Sequence, residues 1–289
     1  MSAPELTVIV TTHNREALIE ENLSALAAQR WDADWDILLV DNDSTDATPA
    51  ILDRWIDKMP VPVRVLTATD GHCPAYARNA GVAATASTSV IFIDDDDVIA
   101  PGFVEAMGTA LRDHQFVASR SDYLQLNDAE SGPQHTFQTE RLGRHFGVPV
   151  VDATGSGIRR ALYERHGGSD ESVVFSEDAE ISLRIARDGE VTPHYCTAAV
   201  CHVRLPVGTR SAWIRGTRRG FAEVQMYAWH GEHFGARPEP LWIAVGRWAR
   251  LILQLPTLRT ASGRTLWVEA LGRRVGRLRG SCRLRRWWP

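Results

Sequence analysis

The 289-residue sequence has few of the features that would assign it to a class at once. It holds four cysteines, none of them in CxxC spacing, so neither a disulfide framework nor a zinc ribbon is indicated. Its longest apolar stretch, residues 241–258, is broken by Arg247, Arg250 and Pro256 and makes a poor membrane span. The amino terminus lacks the basic and apolar stretches of a signal peptide. We therefore expect a cytoplasmic protein, at the inner face of the membrane if the basic tail described below binds lipid.

Two phosphate-binding motifs are also missing. There is no GxxxxGK[ST] loop and no GxGxxG turn, so the P-loop and dinucleotide-binding classes lose their main support. Lysine is nearly absent, since Lys58 is the only one. A diphosphate ligand would therefore need arginine and a metal ion to neutralise it.

What is present is typical of a folded α/β protein with an appendage. Apolar residues make up 44% of the chain and charged residues 24%, which excludes disordered and low-complexity classes. The net charge of −4 hides an asymmetry: residues 204–289 contain 17 arginines and four acids, against 15 basic residues and 32 acids in residues 1–203. Such a tail suggests an anionic partner, namely a membrane surface, a phosphate-bearing substrate or nucleic acid. The alternative is that the tail packs against the acidic body.

Strand and helix patterns alternate over the first hundred residues. Apolar runs of strand length alternate with helix-like segments, the first of which we expect over 15–29 with Asn14 as its N-cap. This order predicts a parallel, doubly wound sheet with helices on both faces. The strands are expected at 6–10, 36–40, 61–66 and 90–93. Of the two further helices, one is opened by Ser44 and Thr45 and runs through 50–57, and the other covers 74–84.

The second half is less regular. We expect a helix after Pro101, a strand near 116–126 and a loop-rich stretch over 127–147. Helices over 159–166 and 176–188 and a strand over 191–203 complete the body. In the tail, amphipathic helices begin at Leu241 and near Trp267, and each suits either a bilayer interface or packing on its own domain. A mobile basic segment over a bound diphosphate is a further hypothesis for Arg204, Arg210, Arg215, Arg218 and Arg219.

Four consecutive aspartates, Asp94 to Asp97, give the sharpest chemical signal. They follow an apolar strand directly, where the carboxyl ends of parallel strands form a ligand-binding edge. Like charges so close together repel unless a cation neutralises them, and a hard divalent cation binds carboxylate oxygens. Residues two apart share a side, so Asp94 and Asp96 face one cleft and predict a Mg²⁺ or Mn²⁺ site.

Six segments in order resemble the blocks of inverting family 2 glycosyltransferases, which have the GT-A fold. The segments are VIVTTHNRE, LLVDNDSTDAT, AYARNAGVAAT, FIDDDDVIAP, GSGIRRALYERHGGSDE and FSEDAEISLR, and the resemblance covers residues 5–203. It implies a GT-A domain over 1–203, with a nucleotide-binding half at 1–100 and an acceptor half at 101–203. Residues 204–289 lie outside it as a basic helical segment.

The resemblance also implies roles for single residues. Asp178 takes the position of the general base, and Asp94, Asp96 and His202 are the metal ligands. Gly157 and Glu177 lie on the acceptor side. The implied donor-binding residues are Thr11, His13, Asp41, Asn42, Arg78, Asn79, Asp94 and Asp95.

The implied reaction is transfer of a sugar, by a single inverting displacement, from a nucleotide-diphosphate sugar to an acceptor hydroxyl. A UDP-sugar is the default donor, and the acceptor is a glycan, a lipid-linked intermediate or a small molecule. Cell-surface glycan or secondary-metabolite synthesis is the expected setting, with no nucleic acid as partner. Two alternatives stay open: a phosphohydrolase of the haloacid dehalogenase type, whose DxDx(T/V) signature FIDDDDV also fits, and a non-catalytic nucleotide-sugar binding protein.

Overall fold

The computed structural model describes residues 3–151, 154–189, 191–238 and 240–288. Its centre is a sheet of eight strands, and a two-stranded hairpin lies beside it. The sheet strands are β1 (Leu6–Thr12), β2 (Trp35–Asp41), β3 (Val63–Thr67), β4 (Ser89–Asp94), β5 (Val98–Ile99), β6 (Phe116–Asp122), β9 (Ser156–Arg159) and β10 (His194–His202), and the hairpin strands are β7 (Gly143–His145) and β8 (Val148–Val150).

Helices cover both faces of the sheet and form the carboxyl-terminal segment. On the body they are α1 (Ile19–Ala27), α2 (Thr48–Trp55), α3 (Pro74–Ala83), α4 (Phe103–Asp113), α5 (Arg160–Arg165) and α6 (Glu177–Arg187). The carboxyl-terminal helices are α7 (Thr209–Met226), α8 (Leu241–Leu253) and α9 (Ala261–Leu284).

The sheet is mixed but mostly parallel, in the order β3-β2-β1-β4-β9-β6-β10-β5. The first four strands are parallel, as the alternation of strands and helices predicts. The short strand β9 lies antiparallel between β4 and β6, and β5 lies antiparallel to β10. Strands β1, β2, β4, β6 and β10 thus end at one edge of the sheet.

Two apolar clusters, one on each face, hold the helices on the sheet. Val8 of β1 packs with Leu23 of α1 and Met107 of α4 on one face. The next residue, Ile9, packs on the other face with Val82 of α3. This alternation follows from the two-residue period of a strand, and burial on both faces explains the continuous apolar runs.

The first helix begins later than the sequence pattern suggests, and the prediction of Asn14 as its N-cap is wrong. Asn14 has a left-handed backbone (φ 52°), and α1 begins at Ile19. The Asn14 side-chain oxygen instead accepts hydrogen bonds from the backbone N–H groups of Thr45 (2.8 Å) and Asp46 (3.3 Å). Asn14 therefore joins the loops after β1 and β2, where the sequence alone shows no partner.

The carboxyl-terminal segment folds around a glycine-mediated contact between α7 and α9. A Cβ on Gly220 of α7 would overlap the carbonyl oxygen of Arg273, and one on Gly276 of α9 would overlap that of Thr217. Glycine is needed here because the two helix backbones touch. The prediction of a mobile basic segment is wrong for this part of the chain, because Arg215 and Arg219 lie on α7 and face carboxylates of Glu269 and Glu223 at 3.8 Å.

The tail also packs against the acidic body. His230, which follows α7, shares a hydrogen bond of 3.0 Å with Glu180 of α6, and both side chains are buried. The Thr260 hydroxyl donates to Glu130 at 2.7 Å. The interpretation in which the tail packs on the body is thus confirmed for these contacts. Within the described residues, no helix is long and apolar enough to cross a membrane.

Candidate active site

The four aspartates form a tight turn after β4 in which buried and partly exposed side chains alternate. The side chains of Asp94 and Asp96 are 36% and 30% exposed. Asp95 and Asp97 are buried. The alternation expected from the sequence is therefore present, and Asp94 and Asp96 are the pair accessible to a ligand.

Neighbouring elements hold this turn in place. The buried amide of Asn22, on α1, donates to the carbonyl oxygens of Asp94 (3.0 Å) and Asp97 (2.9 Å). The Arg204 backbone N–H, after β10, donates to the Asp97 carboxylate at 2.8 Å, and the Arg204 Nε donates to the Asp96 carbonyl at 3.0 Å. These bonds fix the backbone that presents Asp94 and Asp96.

Asp95 binds the first loop of the protein. One oxygen accepts from Arg15 Nε at 2.9 Å, and the other accepts from the His13 backbone N–H at 3.3 Å. Asp95 is buried and engaged by these groups, and its contact with the donor stays a prediction. Its carboxylate positions the loop after β1.

Burial and mutual repulsion raise the pKa of several of these acids. Burial raises the pKa of Asp95 to about 6, although Arg15 opposes the shift. Burial, and then the charge of Asp94, raise the pKa of Asp96. Burial also raises the pKa of Asp97 well above its ordinary value, with the charges of Asp96 and Asp94 adding to the effect. A divalent cation would relieve this repulsion.

A single buried arginine joins the aspartate turn to the helix that carries the expected base. Arg78, on α3, donates from Nη2 to Asp94 at 2.8 Å and from Nη1 to Glu177 at the start of α6. Burial alone would lower the Arg78 pKa, but the charges of Glu177, Asp94 and Asp178 outweigh it and raise that pKa. Three segments far apart in the sequence thus meet at one guanidinium.

Asp178 is the second residue of α6. A carboxylate in the first turn of a helix is stabilised by the helix dipole, and Arg78 adds a nearby positive charge. Asp178 and Arg78 also line one small cavity, together with Tyr163. Ser176, directly before the helix, has a left-handed backbone (φ 62°), and such strain costs about 1 kcal/mol or more and clusters at functional sites.

The loops after β1 and β2 meet at the same edge. Thr11 lies opposite Asp94 across the β1–β4 pairing, and the exposed His13 ring shares a hydrogen bond of 2.6 Å with the Asn42 carbonyl. Asp41 ends β2, and its carboxylate accepts from the Ser44 N–H at 3.3 Å. The structure brings these expected donor-side residues together at one edge.

Asn42 is buried at this edge. With its amide turned to satisfy both ends, it donates to the carbonyls of Gly71 (2.6 Å) and Ala68 (3.1 Å). Its side chain therefore packs into the loop before α3, and its backbone carbonyl supports the His13 ring.

Two other expected site residues have structural partners. Asn79 donates to the Ser169 carbonyl at 2.9 Å and accepts from the Tyr163 hydroxyl at 2.7 Å, so it ties α3 to the segment after α5. Gly157 lies inside β9, opposite Ile91, and a Cβ there would fall 2.9 Å from Leu111 Cδ1. Packing in the core accounts for glycine at this position, and the acceptor-side place of Gly157 stays a prediction.

His202 ends β10 beside β5, which follows the aspartate turn directly. Its Nδ1 shares a hydrogen bond of 2.6 Å with the Asp122 carboxylate, an arrangement that commonly orients the other ring nitrogen of a metal-binding histidine. Among the described residues, however, no three His, Cys, Asp or Glu side chains converge into a ready-made metal site. The expected trio of Asp94, Asp96 and His202 is therefore not preassembled.

Sequence reasoning did not identify four residues that hold the site in place. They are Arg15, Asn22, Asp122 and Arg204, the last of which donates hydrogen bonds to the aspartate turn. Arg15 lies in the VIVTTHNRE block, so its motif position was a usable signal. Asn22 is a buried amide in the middle of an otherwise apolar helix face, which is a weaker signal. Asp122 and Arg204 act through contacts between distant segments, which the sequence does not show.

The sequence model described as Glycosyl transferase family 2 matches residues 7–167, which is more than half of the chain. The chain belongs to glycosyltransferase family 2. The uncharacterized glycosyltransferase YwdF of Bacillus subtilis is 24% identical over 204 residues, covering 68% of this chain and 73% of YwdF.

Solved glycosyltransferase structures share the fold. The mannosyltransferase PcManGT of Pyrobaculum calidifontis, in complex with GDP-Man and Mn²⁺, superposes with a TM-score of 0.63 at 21% identity, covering 96% of this chain and 88% of that one. TarS of Staphylococcus aureus, in complex with UDP-GlcNAc, superposes with a TM-score of 0.52 at 16% identity, covering 99% of this chain and 93% of that one. The GT-A architecture expected from the sequence is thus confirmed.

Family membership also decides against the phosphohydrolase alternative. The cation of a haloacid dehalogenase-type site is usually a lysine, and the only lysine of this sequence is elsewhere. The Lys58 ammonium lies over the Trp55 ring, 4.4 Å from its centroid, in the segment after α2. The motif FIDDDDV therefore serves a glycosyltransferase.

Proposed function

We propose that this glycosyltransferase moves a sugar from a nucleotide-diphosphate sugar, by default a UDP-sugar, to an acceptor hydroxyl with inversion of configuration. The catalytic domain in this proposal spans residues 1–203, with its nucleotide-binding half at 1–100 and its acceptor half at 101–203. Residues 204–289 form a carboxyl-terminal segment that contributes to acceptor or membrane binding.

One observation carries the proposal: Arg78 bridges Asp94 and Glu177 and so holds the aspartate turn beside the helix that bears Asp178. A displacement with inversion needs groups that stabilise the leaving diphosphate and a base for the incoming hydroxyl on the other side of the anomeric carbon. The turn after β4 and the first turn of α6 supply these two sets of groups from separate elements.

The residues present fit a divalent cation. Asp94 and Asp96 offer partly exposed carboxylates. The negative charges of the aspartate turn repel one another, and a set of oxygen ligands suits Mg²⁺ or Mn²⁺. These cations are commonly held by one or two carboxylates together with substrate phosphates, which agrees with the lack of a preassembled trio in the described chain. When bound, the cation would supply charge stabilisation for the departing diphosphate.

Asp178 accepts the proton of the acceptor hydroxyl in this proposal. The hydroxyl oxygen forms the new bond to the anomeric carbon as the bond to the diphosphate oxygen breaks, and the electron pair leaves with the diphosphate. Arg78 and Glu177 position Asp178 rather than exchange protons. A well-placed general base contributes about 10²–10⁴-fold to the rate.

The donor's base and ribose would lie against the loops after β1 and β2, near Thr11, His13 and Asp41. His13 offers an exposed ring for stacking, and its Nδ1 is held by the Asn42 carbonyl. Nothing in these loops selects one base, so the UDP-sugar is the default that follows from the family.

Helix α8 supports a peripheral membrane contact. Several of its apolar side chains face outward, with Trp242 73% and Leu253 79% exposed, while Ala244 and Leu251 are buried. An amphipathic helix that presents tryptophan and leucine beside arginines is suited to the interface of a bilayer. We therefore place the enzyme in the cytoplasm, at the inner face of the membrane, where glycan and lipid-linked acceptors are found.

A thermal-shift screen of nucleotide sugars with and without Mn²⁺ tests the donor proposal, because a ligand that binds the folded state raises its melting temperature. We expect a shift that needs both a nucleotide sugar and Mn²⁺, and we expect Asp96→Ala to abolish it. Asp53→Ala, an exposed aspartate on α2, is the matched control and should keep the shift. An unchanged shift in Asp96→Ala would overturn the metal assignment.

The configuration of the product tests inversion. Proton NMR of the first product formed from an α-linked donor should show a β-linkage. An α-linked product would exclude a single displacement. Nucleotide-sugar binding without turnover over a broad acceptor panel would instead favour the non-catalytic alternative.

A further inference from the structure

A cavity of about 780 Å³ lies between the loop over residues 135–144 and the helices α7, α8 and α9. Seven of its lining residues are arginines, drawn from the loop and from all three helices, against two acids, Glu130 and Glu269. The cavity is separate from the aspartate turn, none of whose residues lines it. Its size is in the range of small-molecule binding sites.

The protein balances only part of the positive charge of this cavity. Glu223, which does not line the cavity, pairs with Arg273 and faces Arg219 at 3.8 Å. Glu130 accepts a hydrogen bond from Thr260, and Glu269 faces Arg215. In the part of the chain that the structure describes, no carboxylate forms an ion pair with Arg250 or Arg274. The Arg274 Nε is moreover buried without a hydrogen-bond partner.

Crowding of the arginines has an electrostatic cost. Burial, and then the charges of Arg277 and Arg273, lower the pKa of Arg274 to about 10. Burial and the same two arginines also lower the pKa of Arg247. An anion between these side chains would relieve their repulsion, and guanidinium groups match the oxygens of phosphate in pairs.

We propose that this cavity binds phosphate groups of the acceptor, so that the enzyme glycosylates a phosphate-bearing molecule rather than a neutral one. Even with Glu223 counted beside the two lining acids, seven arginines against three acids suit a ligand with at least two negative charges, such as a diphosphate. The assignment of this ligand as the acceptor rests on the proposed transferase function, whereas the phosphate site itself does not.

Two structural links favour the acceptor over an unrelated anion. Phe137 lines the cavity and packs in the same apolar cluster as Ala179, the residue after Asp178. Helix α8 contributes Arg250 to the cavity while it exposes Trp242 and Leu253. A phosphate carried by a lipid would thus meet the arginines beside an apolar helix face.

Calorimetric titration with inorganic pyrophosphate in EDTA tests the site, because the absence of divalent cations suppresses binding at the aspartate turn. We expect Arg250→Gln/Arg274→Gln to weaken pyrophosphate binding by about tenfold or more. The matched control is Arg279→Gln/Arg283→Gln, which removes the same charge from exposed positions of α9 and should change binding by less than about twofold. Equal losses in both double variants, or no loss in either, would overturn the site.

A second pair of measurements separates this proposal from the transferase function. The Mn²⁺-dependent donor shift should be the same in Arg250→Gln/Arg274→Gln and in the wild type, while KM for a phosphate-bearing acceptor rises in the variant. No donor shift in the wild type would refute the transferase function and leave the pyrophosphate result standing. A normal KM for that acceptor in the variant would refute its binding in the cavity.

Vesicle sedimentation identifies the source of the phosphate. Vesicles of phosphatidylcholine with phosphatidic acid should recruit the wild type, and recruitment that Arg250→Gln/Arg274→Gln loses would support a lipid-borne phosphate. Recruitment that both double variants retain equally would refute the lipid as the source.

Discussion

Replacing Arg78 by methionine tests how the two halves of the site are held together. The Arg78 side chain is 5% exposed and pairs with Asp94 and Glu177, so Arg78→Met leaves these carboxylates without their shared cation. Removing one partner of a buried ion pair commonly costs about 3–5 kcal/mol. Here the charge that stays unpaired and largely buried is that of Glu177, 12% exposed, whereas Asp94, 36% exposed, can be hydrated. Since whole domains are stable by only about 5–15 kcal/mol, the loss should be plain in urea unfolding at neutral pH.

Two variants make this prediction decisive. Arg54→Met removes an arginine whose pair with Glu20 is exposed on both sides, at 58% each, and should cost less than about 1 kcal/mol. Arg78→Lys keeps the positive charge but not the two-pronged geometry, so it should fold while the transfer rate falls. A cost for Arg78→Met no larger than that for Arg54→Met would refute the reasoning.

Two further predictions concern the carboxyl-terminal segment. Gly220→Ala should destabilise the protein by about 1–3 kcal/mol, because its Cβ would overlap the carbonyl oxygen of Arg273. A Cβ on Gly246 would have nothing within 4 Å, so Gly246→Ala should stabilise the protein by up to about 1 kcal/mol. Urea unfolding measures both changes. Burial would raise the pKa of Glu223, but its arginine neighbours outweigh burial and lower this pKa from 4.5 to about 2. The charged Glu223 therefore contributes about 3 kcal/mol to the free energy of unfolding above pH 4.5, and this contribution is lost as the pH falls to 2. The stability difference between wild type and Glu223→Gln should therefore be constant from pH 5 to 7 and shrink below pH 4.5, and a difference that grew on acidification would contradict this.

The sheet and the aspartate turn could be predicted from the sequence because their signals are local. Buried strands such as β1 and β2 are continuous apolar runs, and the polar residues after them must share an edge when the strands are parallel. The sequence led us to expect alternation within Asp94 to Asp97 from the two-residue period of a strand, but only Asp94 lies in β4, and the turn after it produces the alternation. Strand β9 was harder to predict, because a strand of four residues shows neither which strands it pairs with nor whether it runs parallel or antiparallel to them.

The contacts that hold the site could not be predicted because they join distant segments. Asn14 shows the difficulty. Its side chain is one that often caps a helix, but its oxygen accepts a hydrogen bond from the loop after β2 and not from the first turn of α1. Helix α7 was missed because its burial depends on α9. Glycines four apart, at Gly216 and Gly220 on α7 and at Gly272 and Gly276 on α9, were the available signal.

The central claim is that Asp178 is the base for the acceptor hydroxyl while the aspartate turn holds the donor. Single-turnover transfer by Asp178→Asn, with donor affinity measured on the same preparation, tests it most directly. The account predicts a rate at least about 100-fold lower than in the wild type, an unchanged donor affinity, and a normal rate for the exposed control Asp53→Asn. A transfer rate for Asp178→Asn within a few-fold of the wild type would contradict it.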